Sequence, residues 1–472
     1  MKIAFCLLTT PLLLAAATAQ ELAVPAGFEF TSGVPELDQA YQKARKTIAG
    51  DVQEGNFLAG EKWAQVWTRD TSYSVDMACA LLHPDVSKKT LFGLREDVPD
   101  IGECWYQDKC GHFKGWPNLT DAIVGAMGAW SLYLVAGDRD LLRPVYERTI
   151  RSLQRAERDA FFKDVGLFGG CSTFMESNSG YPKPYAMQGP KIAKTKALST
   201  NLLYYRGYLV AARLAQLLGE DAAPWQVKAG ALKTAINQRL WLPKHGYYAY
   251  FLDANGQLEE RMEGCGEAFA ILYGVADAEK AQSILQKTPT APCGFPCLWP
   301  QFPEWIHIKQ KKSTADYYHN GMIWPFVQGY WAWAASQSKD VAVFNHELAA
   351  LVKLSQNATT FMEFYFPENG EPGGSPRQLW SASGFLSMIY HGLFGMDFVE
   401  QGINFAPVVP ATMQELSLTN VRYRQSVLTI KVAGHGTTVA GFELDGQKLE
   451  RAFLDGTLQG PHQITIQMKY NL

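Results

Sequence analysis

Between about Pro35 and Phe398, apolar residues recur at intervals of three and four, the period of a helix that buries one face. Thr71 to Leu82, Asp121 to Ala136, Leu141 to Phe162, Leu198 to Leu218, Ala223 to Trp241, Glu267 to Leu285, Gly321 to Ser338, Asp340 to Gln356 and Ser381 to Phe394 all carry the pattern. Aromatic, Gly-rich and Pro-rich loops join them, and strand-like runs are rare. The series predicts paired helices arranged as a toroid, with the loops at one end building a pocket. A helical solenoid has the same local period, but no short fixed-length repeat is present. After about Val399 the period changes. Leu416–Leu418, Val427–Val432, Val439–Leu444 and Ile464–Met468 alternate apolar with polar residues, and Gly434, Gly436, Gly446 and Gly456 punctuate them. Those runs predict a small antiparallel β domain. Its strands carry no exposed aromatic cluster, so its expected role is to cover the end of the helical domain.

The first residues have a charged start at Lys2, a short apolar stretch through Leu12-Leu13-Leu14 and small residues at Ala17-Thr18-Ala19. That is the make-up of a secretory signal cleaved after Ala19, and it predicts an exported chain, periplasmic or secreted. The 472 residues then divide into a signal at 1–19, an N-terminal extension at 20–34, a helical catalytic domain at 35–398 and the β domain at 399–472. No later apolar run is long enough to span a bilayer, so no membrane insertion is expected. Export permits disulfides; Cys104 with Cys110 and Cys293 with Cys297 are the close-spaced candidates. The cysteines lack the repeated spacing of a zinc module, so neither metal nor cofactor is expected. A net charge of −3, without a basic run, gives no surface for nucleic acid. Aromatic residues reach 12%, which favours a carbohydrate ligand because rings stack on the apolar faces of sugars. Nothing in the sequence fixes an oligomeric state.

Two acidic segments stand beside aromatic residues: Phe174-Met175-Glu176-Ser177 and Phe361-Met362-Glu363-Phe364-Tyr365. Ring-lined carboxylates have shifted pKa values or directed oxygens, as a pair that cleaves a glycosidic bond needs. Each Glu alone could equally serve a structural ion pair. In Trp63-Ala64-Gln65-Val66-Trp67-Thr68-Arg69-Asp70, Arg69 and Asp70 can grip sugar hydroxyls while Trp63 and Trp67 form a floor. The alternative is that Asp70 caps the helix and Arg69 makes a salt bridge.

Trp67-Thr68-Arg69-Asp70 resembles the W-x-R-D segment of the six-hairpin glycosidases, a group that includes glucoamylases, glycogen-debranching glucosidases, trehalases and family 63 glucosidases. Tyr318-His319-Asn320-Gly321-Met322-Ile323-Trp324-Pro325-Phe326 is similar to their Y-H-N-G-x-x-W-P-W/F segment, and Pro376-Arg377-Gln378-Leu379-Trp380-Ser381-Ala382 to their P-x-Q-x-W-S-A stretch. The three lie in the family's order. The resemblance implies a mainly α, (α/α)6 toroid and an inverting glycoside hydrolase, with a terminal α-linked glucoside favoured. Glu363 matches the position of the family's general base, with Glu371 as rival. Glu176 stands where the family has its general acid, often an Asp, and burial is expected to raise its pKa. Inversion asks for carboxyl groups roughly 6.5–9.5 Å apart. Further contacts are expected from Trp116, Asp121, Trp299, Tyr318, His319, Trp324, Gln378 and Trp380, with Arg377 lining the pocket or orienting Glu363. For His319, a structural role inside a helix end is the alternative. Two other functions share such a fold: sugar binding without catalysis, and a polysaccharide lyase using Tyr317 or Tyr318 with His319, for which the pocket segments supply few basic residues.

Overall fold

The computed structural model describes residues 28–98, 103–107, 121–176, 178–185, 188–306 and 318–469. The signal segment, Trp116, Tyr317 and Cys110 lie outside them, as do the side chains of Cys104 and Asp121. Twelve helices among the described residues form two concentric rings. The outer ring is α1 (Pro35–Gly50), α3 (Pro84–Gly93), α5 (Leu142–Asp159), α7 (Ala223–Leu240), α9 (Ala278–Lys287) and α11 (Val341–Gln356). The inner ring is α2 (Thr68–Ser74), α4 (Val124–Ala136), α6 (Leu198–Leu218), α8 (Gly264–Leu272), α10 (Pro325–Gln337) and α12 (Leu379–Ser387). Each inner helix touches the next, and α12 returns to α2, closing the (α/α)6 toroid.

Sequence decides which ring a helix joins. In α5 the buried apolar residues, Leu142, Val145, Tyr146, Leu153 and Ala156, form one stripe, and the exposed positions are mostly charged. That is the pattern of a helix with water on one side. In α10 nearly every residue from Pro325 to Ser336 is buried, as a helix packed on all sides requires. Inner helices also carry small residues where they cross. A Cβ on Gly329 of α10 would fall 2.5 Å from the carbonyl oxygen of Gly384 in α12, so this crossing admits hydrogen only.

Two inner helices continue through π turns: α2 through Val75–Cys79 into Ala80–Leu82, and α12 through Met388–Leu393. The expected single helix from Glu267 to Leu285 is two, because Gly274 turns the chain with φ +68° and the Asp277 side chain caps α9 by accepting from Lys280 N. The close-spaced Cys293 and Cys297 are both free thiols, a correction to the disulfide expected there; Cys297 donates instead to the His319 carbonyl at 3.4 Å.

The C-terminal strands are β2 (Met396–Val399), β3 (Gly402–Phe405), β4 (Glu415–Tyr423), β5 (Ser426–Ala433), β6 (Val439–Leu444), β7 (Gln447–Leu449), β8 (Phe453–Asp455) and β9 (Gly460–Met468). The larger sheet has the order β1-β4-β5-β9-β6-β7, where β1 is Glu29–Thr31 from the N-terminal side, paired antiparallel to β4. The sequence did not suggest β1, and the β5–β9 pair is parallel within an otherwise antiparallel sheet. Leu416, Leu418, Val421 and Tyr423 face inward in β4, with a bulge between Leu418 and Val421 that keeps apolar residues on the core side. Arg424 donates to the carbonyls of Leu134, Val399 and Glu400, and Arg213 of α6 pairs with Glu400, so the β domain sits against the C-terminal ends of inner helices. No helix among the described residues is long and apolar enough to cross a membrane.

Candidate active site

At the other end, the N-termini of the inner helices converge on a cavity of about 440 Å³ that opens to solvent. Glu363 and Glu176 both line it, with Trp63, Trp67, Arg69, Asp70, Phe174, Tyr318, His319, Trp324, Gln378 and Trp380. Helix N-termini carry partial positive charge, which favours carboxylates at this end.

Glu363 precedes a two-stranded ribbon, Phe364–Tyr365 with Pro372–Gly373. Its Oε2 accepts from Ser375 N at 2.7 Å, and its Oε1 accepts from Trp63 Nε1 at 2.9 Å and from the Tyr318 hydroxyl. The ribbon closes over it so tightly that a Cβ on Gly374, itself at φ +77°, would lie 2.3 Å from Oε2. Burial raises the Glu363 pKa above the ordinary carboxylate value, while the bonds from Tyr318, Ser375 and Trp63 hold the rise back. Three donors and no acceptor suit the ionised form. Glu371 is exposed on the far side of the ribbon's turn and does not line the cavity.

Glu176 ends a loop fixed from behind. The Ser172 hydroxyl donates to Glu263, which also takes the hydroxyl and the N–H of Ser199 at the start of α6; Thr173 N donates to Ser199 Oγ at 3.0 Å. Glu176 Oε2 pairs with Arg69 Nη1 at 3.1 Å. Burial pushes the Glu176 pKa up, but the charge of Arg69, with smaller help from His319, outweighs it and leaves the group below its ordinary value. This reverses the expected rise: the acid is only partly buried, and it sits against a guanidinium.

Arg69 thus makes the salt bridge of the structural alternative, with the candidate acid as its partner, and it also lies 5.6 Å from the Trp67 ring centroid. Asp70 is not a helix cap, since α2 starts at Thr68 with no side-chain cap bond; it is buried and accepts from Gln378 Nε2 at 3.3 Å. Burial raises the Tyr318 phenol pKa, and the charges of Glu363, then of Glu176 and Asp70, add to the rise. His319 lies in the turn before α10, edge-on to Phe174 at 5.2 Å, and not in a helix end. Trp380 stacks on Phe326 at 4.2 Å.

Two expected contacts are absent from the lining. Trp299 pairs with Met262 in a separate ribbon, and Arg377 turns away to bind Asp51 at 3.0 Å, so it does not orient Glu363. Ser375, whose N–H does orient Glu363, and Glu263, which anchors the acid loop, were not singled out in the sequence. Ser375 follows a Gly-Gly pair, which hints at a close backbone approach; Glu263 has no comparable signal. Among the described residues no group of His, Cys, Asp and Glu could hold a metal ion.

Residues 116–381 match the family described as mannosylglycerate hydrolase MGH1-like glycoside hydrolase domain, and residues 396–450 match the C-terminal domain of glycosyl hydrolase family 65. No curated protein matches the chain. Among solved structures, a sialidase superposes with a TM-score of 0.70 at 16% identity over 87% of this chain, which spans only 39% of that protein. A GH63 mannosylglycerate hydrolase from Thermus thermophilus, in complex with glucose, gives 0.59 at 15% identity over 74% of this chain and 99% of its own. A GH78 rhamnosidase of Bacillus sp. GL1 gives 0.61 at 15% identity over 94% of this chain and 44% of its own. At these identities the likeness is one of fold, the six-hairpin glycosidase toroid.

Proposed function

The chain belongs to the mannosylglycerate hydrolase MGH1-like glycoside hydrolase family, and from that premise we propose that it removes a terminal α-linked sugar with inversion of configuration. It is a glycoside hydrolase with a carbohydrate substrate; the anomer, the sugar and the roles of individual residues are the proposal. The observation that carries it is the placement of Glu176 and Glu363 on one ring-walled cavity, with Tyr318 on the same wall and hydrogen-bonded to Glu363. Glu363, ionised and made a stronger base by burial, takes a proton from water; Glu176 donates one to the leaving oxygen as charge builds on the ring. For that, Glu176 must be protonated. A sugar that draws the Arg69 guanidinium away from Glu176 weakens the charge holding its pKa down and leaves burial, which pushes it up.

Asp70 and Arg69, backed by Gln378, suit two neighbouring hydroxyls, and Trp67 and Trp380 suit the ring face. Glucose is favoured, with mannosides, mannosylglycerate and rhamnosides as the alternatives suggested by the names of relatives. The Arg69–Glu176 ion pair is the one feature that favours binding without turnover. The signal-like residues 1–19 support export, which N-terminal sequencing of the mature protein tests by finding Gln20 first. The enzymatic reading is tested by screening purified protein on a panel of these glycosides, with proton NMR following the first anomer released. Release of the β-anomer from an α-glycoside is expected. Retained configuration overturns inversion, and binding with no turnover on every substrate overturns hydrolysis.

A further inference from the structure

Where the C-terminal ends of the inner helices meet the β domain, a second cavity of about 1080 Å³ adjoins a narrower one of about 540 Å³. Both are lined by Asp76, Arg206, Trp333, His391 and Asp397, and no residue lining either one lines the catalytic cavity. Nothing in the hydrolysis described above uses these groups.

Asp76 accepts from Ser131 Oγ and from the Tyr330 hydroxyl at 2.8 Å, and though deep in the toroid it remains partly accessible. Arg206 crosses the Tyr273 ring at 5.5 Å from its centroid, and its buried Nε has no hydrogen-bond partner among the described residues. Trp333 stacks on His391 at 3.8 Å. Asp76 and His391 each sit within one of the two π turns, and such turns occur often at functional sites. An interface between domains is a common place for a ligand.

The charges define the ligand. Two carboxylates, Asp76 and Asp397, face two cations, Arg206 and Lys339, so a net anion or cation gains nothing overall. No metal-holding group exists there among the described residues. A neutral molecule carrying adjacent hydroxyls satisfies both signs, donating to a carboxylate and accepting from a guanidinium. Tyr273, Tyr330 and Trp333 supply apolar walls for its ring. We propose that this rear cavity is a second saccharide site, taking a neutral mono- or disaccharide separately from the catalytic cavity.

The test is calorimetric titration of the full chain with D-glucose, D-mannose and L-rhamnose, each alone, compared with Arg206→Met, Asn404→Ala at the rear rim, and Asp70→Asn at the front. For at least one sugar, two molecules bind per chain. Arg206→Met weakens one of the two about ten- to a hundredfold, the loss of a charged hydrogen bond, while hydrolysis at low substrate stays unchanged. Asp70→Asn weakens only the other. Should Arg206→Met fail to fold by circular dichroism, Asn404→Ala decides by the same readout. A single site for all three sugars, or a second site indifferent to both rear variants, overturns the proposal. The readout is binding, so a chain inactive on every glycoside would refute the hydrolytic reading and leave this one standing.

Discussion

Glu363 accepts from Trp63, Ser375 and Tyr318, and Glu176 is held by Arg69, so each acid's charge state depends on named neighbours. Replacing Glu363 with Gln keeps the shape and removes the proposed base; kcat should fall by about 10²–10⁴ with KM little changed, measured by steady-state kinetics. Tyr318→Phe removes a donor that lowers the Glu363 pKa, so the acidic limb of the kcat/KM profile should move to higher pH. Arg69→Gln removes the main opponent of burial at Glu176, so the basic limb should move to higher pH, with a raised KM because a sugar contact is lost. If both variants shifted the same limb, the division of roles would be wrong. The sequence motifs named both glutamates and nearly the whole cavity wall. They could not rank burial against an ion pair whose members stand 107 positions apart, which is why the Glu176 shift was expected with the wrong sign. Arg377 was misplaced for a similar reason: its partner Asp51 lies 326 positions away.

The helices hold these side chains in place, and the tightest crossing is that of α10 with α12, each headed by cavity residues: Trp324 before the first, Gln378 and Trp380 at the start of the second. Gly384→Ala would bring a methyl group to within 2.4 Å of the Pro325 carbonyl oxygen. Overpacking of this kind costs about 1–3 kcal/mol, so thermal unfolding should move down by about 1–4 °C, with kcat falling as Trp380 shifts. Gly230→Ala, on the exposed side of α7 with nothing within 4 Å, should leave kcat unchanged and serves as control. Elements with long apolar runs were legible from periodicity. Those missed include α1 and α3, whose polar outer faces dilute the pattern, the short strands β2, β3, β7 and β8, and β1, three residues long and defined only by its pairing with β4. The break between α8 and α9 was hidden because apolar positions on its two sides happen to keep step.

For the whole molecule, the inner ring gathers its helix N-termini around the candidate active-site cavity and buries carboxyl groups behind it. Burial raises Glu263 to about 7 against the bonds from Ser172 and Ser199, and Glu347 to about 7 against those from Gln328 and Phe295. Glu267 is raised in the same direction by the same cause. A carboxyl with a raised pKa binds its proton more tightly folded than unfolded, so its contribution to stability is complete below the ordinary carboxylate range. That contribution declines as pH climbs from there through about 7. The chain should therefore unfold at lower denaturant concentration at pH 8 than at pH 5, opposite to a protein whose carboxylates are mostly ion-paired. Glu347 lies outside the cavity lining, so Glu347→Gln isolates the effect. Gln keeps an acceptor for Gln328 and Phe295 N while losing the titration, which should flatten the pH 5–8 slope by up to roughly 3 kcal/mol and leave hydrolysis intact. Urea unfolding of both proteins across that range decides it, and an unchanged slope would mean that Glu347 keeps its ordinary pKa inside the toroid.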